Sequence, residues 1–151
     1  RSYADFQKYL GAHPDTTIVQ MDSVIGRVGG KCLLTIHFVE SSLMLAFLRD
    51  ANTSASVIEI INLLDEVLGA KTFNSLFPVI LTDNGSEFTH RLRSEKKTLF
   101  EEALKANGID YHPIRPAMPR HNGKVERSHR EDQKRLYDKT TFYSLQDADT
   151  Q

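Results

Sequence analysis

The run Pro78-Val79-Ile80-Leu81-Thr82-Asp83-Asn84-Gly85-Ser86-Glu87-Phe88 restricts the fold more than any other stretch of this chain. It begins as a short apolar, β-branched segment, the pattern of a buried strand. It stops at Asp-Asn-Gly, where the backbone must turn. Upstream, Val57, Ile58, Ile60, Ile61, Leu63, Leu64, Val67 and Leu68 recur with helical spacing. The cap formers Asn52-Thr53-Ser54 precede them and Gly69 follows. A helix between two strands favours a crossover and parallel pairing. The buried strand then delivers Asp83 to the rim of a sheet, where a cation can hold the carboxylate. An Asp that only starts a turn would look the same.

The rest of the chain supplies the other strands. Tyr3, Phe6, Tyr9 and Leu10 have helical spacing that ends at Gly11, so the spacing predicts a short helix within Arg1 to His13. Thr17 to Val24 alternates and is β-branched, a strand. Gly26 and Gly29-Gly30 supply a hairpin turn. Lys31 to Val39 is a near-continuous apolar strand expected in the centre of the sheet. Ser41-Ser42 breaks it, and Leu43 to Leu48 completes an antiparallel meander. Lys97 to Asn107 reads as a helix with Leu99, Phe100, Ala103 and Leu104 inward and Gly108 closing it. Ile109 to His112 is a fifth strand. Pro113, Pro116 and Pro119 then force an irregular loop. A charged helix is expected from about Asn122 to Tyr137. The expected order is β-β-β-α-β-α-β-α, an α/β layer with a mixed sheet flanked by helices.

Composition narrows the function classes. With 151 residues, 40% hydrophobic and 26% charged, the chain can form one domain with a real core. No apolar run is long enough to cross a bilayer. The single cysteine, Cys32, has no intrachain partner, which rules out a disulfide framework or a cysteine metal site and points to a reducing compartment. The chain opens at Arg1 rather than Met and ends in a polar stretch, so we expect a piece of a longer protein: residues 1–15 a linker helix, 16–140 the core, 141–151 a polar tail. Net charge is −1, yet His112 to Arg135 holds seven Lys/Arg against three acids. A local basic stripe on an acidic body suits a polyanion along one edge, although a solvated helix face has the same composition.

Asp22 interrupts an apolar strand, and charges are rarely buried unless paired or bound to metal. If the first and fourth strands are neighbours, Asp22 and Asp83 meet at one end of the sheet. Helical spacing puts Asn122, Glu126, His129 and Arg130 on one face, so Glu126 is a third candidate acid with polar and cationic neighbours. A surface pair between Glu126 and Arg130 is the plainer alternative. Glu87, a fourth acid, reads as a helix first-turn residue directed away from Asp83. His112, His121 and Asn84 are weaker candidates for lining the site. His13, His37 and His90 read as structural or exposed.

Three blocks together are more specific than any one acid. Val19-Gln20-Met21-Asp22, Leu81-Thr82-Asp83-Asn84-Gly85-Ser86-Glu87-Phe88, and Arg115-Pro116 through Asn122-Gly123-Lys124-Val125-Glu126-Arg127-Ser128-His129-Arg130 resemble the integrase catalytic core. That family includes retroviral integrases and bacterial insertion-sequence transposases with an Asp-Asp-Glu triad. The resemblance spans about Thr17 to Arg135 and is nearer to the bacterial transposases. The gap from Asp83 to Glu126 exceeds the retroviral pattern, and His90 to Thr98 reads as a surface insertion. The resemblance implies a ribonuclease-H-like fold with a mixed five-stranded sheet. It implies metal-dependent phosphodiester cleavage and DNA strand transfer, with Asp22, Asp83 and Glu126 as catalytic and metal-binding residues. Hard oxygen donors suit Mg²⁺ or Mn²⁺, two ions in this family. DNA is the implied partner, with Arg115, Arg120, Asn122, Lys124, Arg127, His129 and Arg130 as contacts, His129 also being compatible with a plain surface role. A homo-oligomer in the bacterial cytoplasm, at the nucleoid and away from membranes, is expected. Two readings stay open beside it: a nuclease of the same fold that does not join strands, and a non-catalytic DNA-binding module. A small-molecule α/β enzyme lacks support, since neither a glycine-rich phosphate loop nor a nucleophile elbow is present.

Overall fold

The computed structural model describes residues 3–26, 29–90, 96–114 and 130. Helix α1 (Tyr3–Ala12) leads into strands β1 (Ile18–Ile25), β2 (Cys32–Phe38) and β3 (Met44–Arg49). These pair as the antiparallel meander that the sequence predicts, with Met21 opposite Ile36 and Leu34 opposite Phe47. Helix α2 (Ser54–Leu68) crosses over to β4 (Val79–Thr82), which lies parallel to β1. Helix α4 (Leu99–Ala106) then crosses to β5 (Asp110–Pro113), parallel to β4. The five-stranded order is β3-β2-β1-β4-β5. The mixed sheet with its meander and crossovers is the ribonuclease-H-like arrangement expected above. The middle position belongs to β1; β2, expected there, is an inner strand between β1 and β3.

The helix ends follow local chemistry. Thr53 caps α2 by accepting from the Ser56 amide, and the Ser56 hydroxyl accepts in return from the Thr53 amide. Gly69 ends α2 in a left-handed conformation (φ 75°), which a residue with a Cβ adopts only under strain. The sequence reading stopped there. The chain instead restarts as a short helix, α3 (Ala70–Leu76), because Phe73 and Phe77 both have a core to enter. Thr98, not Lys97, caps α4, through a capping box with Glu101. The inner face of α4 therefore rests on Phe100 and Leu104, while Leu99 is 59% exposed, contrary to the expectation for it.

The two faces of the sheet bury different side chains. Val19, Met21, Leu34, Ile36 and Ile80 pack with Val57, Ile61, Phe73, Phe77, Phe88, Phe100 and Leu104 in the main core. On the other face, Val79 and Leu81 join Phe6 of α1 and Ile114. The expected helix from Asn122 to Tyr137 and the tail at 141–151 lie outside the described residues, apart from Arg130, which is helical and exposed.

Candidate active site

Register decides where the acids go. On the paired strands β1 and β4, Ile18 faces Val79, Val19 faces Ile80, Gln20 faces Leu81 and Met21 faces Thr82. The next residue on each strand is Asp22 and Asp83. Side chains alternate along a strand, and paired positions on parallel strands share a face. Asp22, inside β1, and Asp83, the first residue after β4, thus each lie one step beyond the last paired position, at the C-terminal end of β4. They share the face that carries Gln20 and Leu81. Register therefore brings both acids toward one end of β4, as the neighbouring of the first and fourth strands requires.

Each carboxylate is held by backbone. Asp22 Oδ1 accepts from the Ser23 amide at 2.8 Å. The Thr35 hydroxyl, from the pairing partner of Asp22 on β2, donates to the Asp22 carbonyl at 3.2 Å. Asp83 Oδ1 accepts from the Gly85 amide at 2.9 Å, closing an Asx turn. The amides of Phe88 and Thr89 both donate to the Gly85 carbonyl at 3.0 Å. The Asn84 side chain donates to the Ile114 carbonyl at 3.1 Å, which spends it on the turn rather than on lining the site. Both acids are partly buried, so their charge is presented to solvent at the rim without being fully solvated.

Glu87 departs from its reading. It sits in a turn, not in a helix, and is buried to 6% exposure. Its carboxylate folds back onto Gly85, where an added Cβ would stand 2.6 Å from Glu87 Oε2 and 2.8 Å from Cδ. The fourth acid thus packs against the turn that carries Asp83. Its backbone carbonyl accepts from the Ser54 hydroxyl at 2.5 Å, tying this turn to the first residue of α2.

A residue that sequence reasoning passed over sits behind the rim. Arg49, at the end of β3, is only 4% exposed. Its Nη2 donates to the Ser23 hydroxyl at 2.7 Å and to Asn52 Oδ1 at 2.9 Å, and its Nη1 donates to the Ser56 hydroxyl at 2.9 Å. Burial pushes the guanidinium pKa down from its ordinary value; Cys32, its pairing partner on β2, and Glu87 both oppose that shift. The available signal was an arginine ending an apolar strand, a pattern shared by many solvated strand ends.

The histidines sort as follows. His112 is buried, pairs with Asp110 at 3.0 Å, packs on the ring of Phe6 and stands opposite Leu81 of β4, so it lies on the α1 side of the sheet, two residues short of the position of Asp83. His37 is buried and His13 stacks on Tyr9, as their structural reading held. Glu126, Arg115, Arg120, His121, Asn122, Lys124, Arg127 and His129 lie outside the described residues; Arg130 is exposed. Among the described residues no group of three or more His, Cys, Asp or Glu is placed to hold a metal, which leaves Asp22 and Asp83 as a pair there.

Comparison with known proteins agrees with this geometry. Residues 107–151 match the model of the integrase core domain family. No protein of curated function matches the chain. Among solved structures, the catalytic core domain of BIV integrase is similar over 80% of this chain and 69% of its own, at 25% identity and a TM-score of 0.56. The simian T-cell lymphotropic virus intasome, in complex with PP2A regulatory subunit B56 gamma, contains a chain similar in fold over 80% of this one, at 23% identity and a TM-score of 0.61. This chain spans 40% of the length of that one. The sheet order, the likeness to solved integrase cores and the family match over the C-terminal third agree with one another, and they support an integrase-like superfamily for this chain.

Proposed function

We propose that this chain is the catalytic core of a metal-dependent transposase that cuts phosphodiesters and joins DNA strands in the bacterial cytoplasm. The observation that supports the proposal most is the parallel register of β1 and β4, in which Asp22 and Asp83 each follow directly on the paired Met21 and Thr82. The third acid of the proposed triad, Glu126, falls within the segment that matches the integrase core family. Structural packing alone gives little reason to set two like charges side by side, since like charges disfavour one another. A shared divalent cation would reverse that penalty.

The donor set fits such an ion. Both acids are hard oxygen donors at a solvent-facing rim, which suits Mg²⁺ or Mn²⁺ better than zinc. When bound, two such ions would supply Lewis acidity on both sides of the scissile phosphodiester. In this reading Asp22, Asp83 and Glu126 would hold the ions. The chain's own contribution is orientation. The Ser23 and Gly85 amides hold one oxygen of each aspartate, so the carboxylates keep their direction without needing the cation to arrange them. The basic segment from Arg115 to Arg130 would position the DNA backbone by phosphate contact. Joining two DNA ends favours action as a dimer or larger assembly.

Incubation with donor-end DNA and Mn²⁺ tests the proposal. A joined product that disappears in Asp83→Asn supports it. Cleavage without joining would reassign the chain as a nuclease of this fold. Absence of any metal-dependent cleavage would make it a non-catalytic DNA-binding module.

A further inference from the structure

Arg49 is costly where it stands. It is a buried cation whose Nε has no acceptor among the described residues, and a hydrophobic side chain would fill the same space at less cost. Its position accounts for that cost. The guanidinium reaches three separate pieces of chain: Ser23 within β1, Asn52 in the loop after β3, and Ser56 in the first turn of α2. Ser23 is the neighbour of Asp22, and its amide holds the Asp22 carboxylate. From the same first turn of α2, Ser54 holds the backbone of Glu87, whose carboxylate lies on Gly85. The Gly85 amide holds the Asp83 carboxylate. One continuous set of contacts thus runs from Asp22 through Ser23, Arg49 and the start of α2 to Glu87, Gly85 and Asp83.

We propose that Arg49 is a positioning residue for the two aspartates, fixing the spacing of Asp22 and Asp83 by fastening Ser23 of β1 and the start of α2 to one guanidinium. The inference rests on the function proposed above for its consequence, but not for its geometry. The fork shape matters as much as the charge: two nitrogens of a planar group serve three acceptors in fixed directions, which an ammonium cannot reproduce. Glu87 is the balancing anion of the set. It lies within the field of Arg49 and, from its place on Gly85, steadies the turn.

The test compares wild type, Arg49→Met, Arg49→Lys and Ser23→Ala in the full chain. Three quantities are measured: thermal unfolding, hydrogen-exchange protection of the Ser23 and Gly85 amides without metal, and Mn²⁺ affinity by calorimetry. The expected result is a folded Arg49→Met protein that loses protection at both amides and binds Mn²⁺ about tenfold or more weakly, the range for removing a group that orients metal ligands. Arg49→Lys, which keeps the charge but not the fork, should not restore the affinity. Ser23→Ala, which removes one acceptor and leaves the core intact, should weaken Mn²⁺ binding in the same direction, and it decides the matter if Arg49→Met does not fold. Unchanged amide protection and unchanged Mn²⁺ affinity in folded variants would reduce Arg49 to a core filler and overturn the proposal. If wild type itself fails to bind Mn²⁺, the proposed function falls, and the metal-free amide protection still decides the role of Arg49.

Discussion

At the scale of single residues, the pair Asp22 and Asp83 separates function from stability. Both sit at a rim and are partly buried, so neutralising either should leave the core untouched. Asp22→Asn and Asp83→Asn are each expected to lower strand joining by at least about a hundredfold, roughly 3 kcal/mol of barrier, with unfolding temperatures near wild type. Assays of joined product beside thermal melts check this. Gly85 makes a subtler prediction. The three atoms nearest to a methyl group there belong to the far end of Glu87, a flexible side chain that can move aside. Gly85→Ala should therefore cost little stability, about 1 kcal/mol or less in denaturant unfolding, yet reduce activity by displacing Glu87 from the turn. The aspartates were legible in sequence because a charge in an apolar strand is an anomaly. The role of Glu87 was not, since a turn of this kind can send a side chain outward or back upon itself.

Among the elements, two capping boxes set the crossover helices in place. Thr53 caps the exposed start of α2, and Thr53→Ala should cost about 1 kcal/mol. Thr98 does more. It is 2% exposed, and its hydroxyl accepts from the Glu101 amide at 3.1 Å while donating to the Phe88 carbonyl at 2.8 Å. Thr98→Ala removes a cap and strands a buried carbonyl, so a loss of about 2–3 kcal/mol is expected by urea unfolding. A loss at Thr98 no larger than that at Thr53 would contradict this account. Five strands and the crossover helices α2 and α4 could be read from periodicity. Helix α3 could not, because a glycine in a left-handed conformation marks the end of one helix without revealing whether another begins. Leu99 shows the related limit: an apolar residue one place before the buried Phe100 looks inward until the cap position fixes the phase of the helix.

Across the whole molecule, aromatic packing connects the rim to the body. Phe100 meets Phe88 edge-on at 5.4 Å and Tyr111 edge-on at 5.4 Å, so it holds α4, the turn after Asp83 and β5 together. Phe100→Ala should destabilise the protein by about 3–5 kcal/mol, read as a large fall in unfolding temperature. The charge distribution leads to a separate expectation. With a net charge of −1 and seven Lys/Arg against three acids in His112 to Arg135, DNA affinity should fall steeply as salt rises, with that segment a main contributor. Arg127→Ala should lessen the slope of log affinity against log salt by about 1 and weaken binding equally for all DNA sequences.

What the sequence determined by itself was the set of strands and their antiparallel and parallel senses, because hydrophobic period and turn residues act over a few neighbours. Tertiary structure alone decided that β1 occupies the centre of the sheet and that Asp22 follows the step paired with Thr82. It alone decided that Arg49, Ser23, Asn52 and Ser56 form one buried cluster. Those contacts join residues distant along the chain, and register and burial between strands exist only once the whole sheet has closed on its helices.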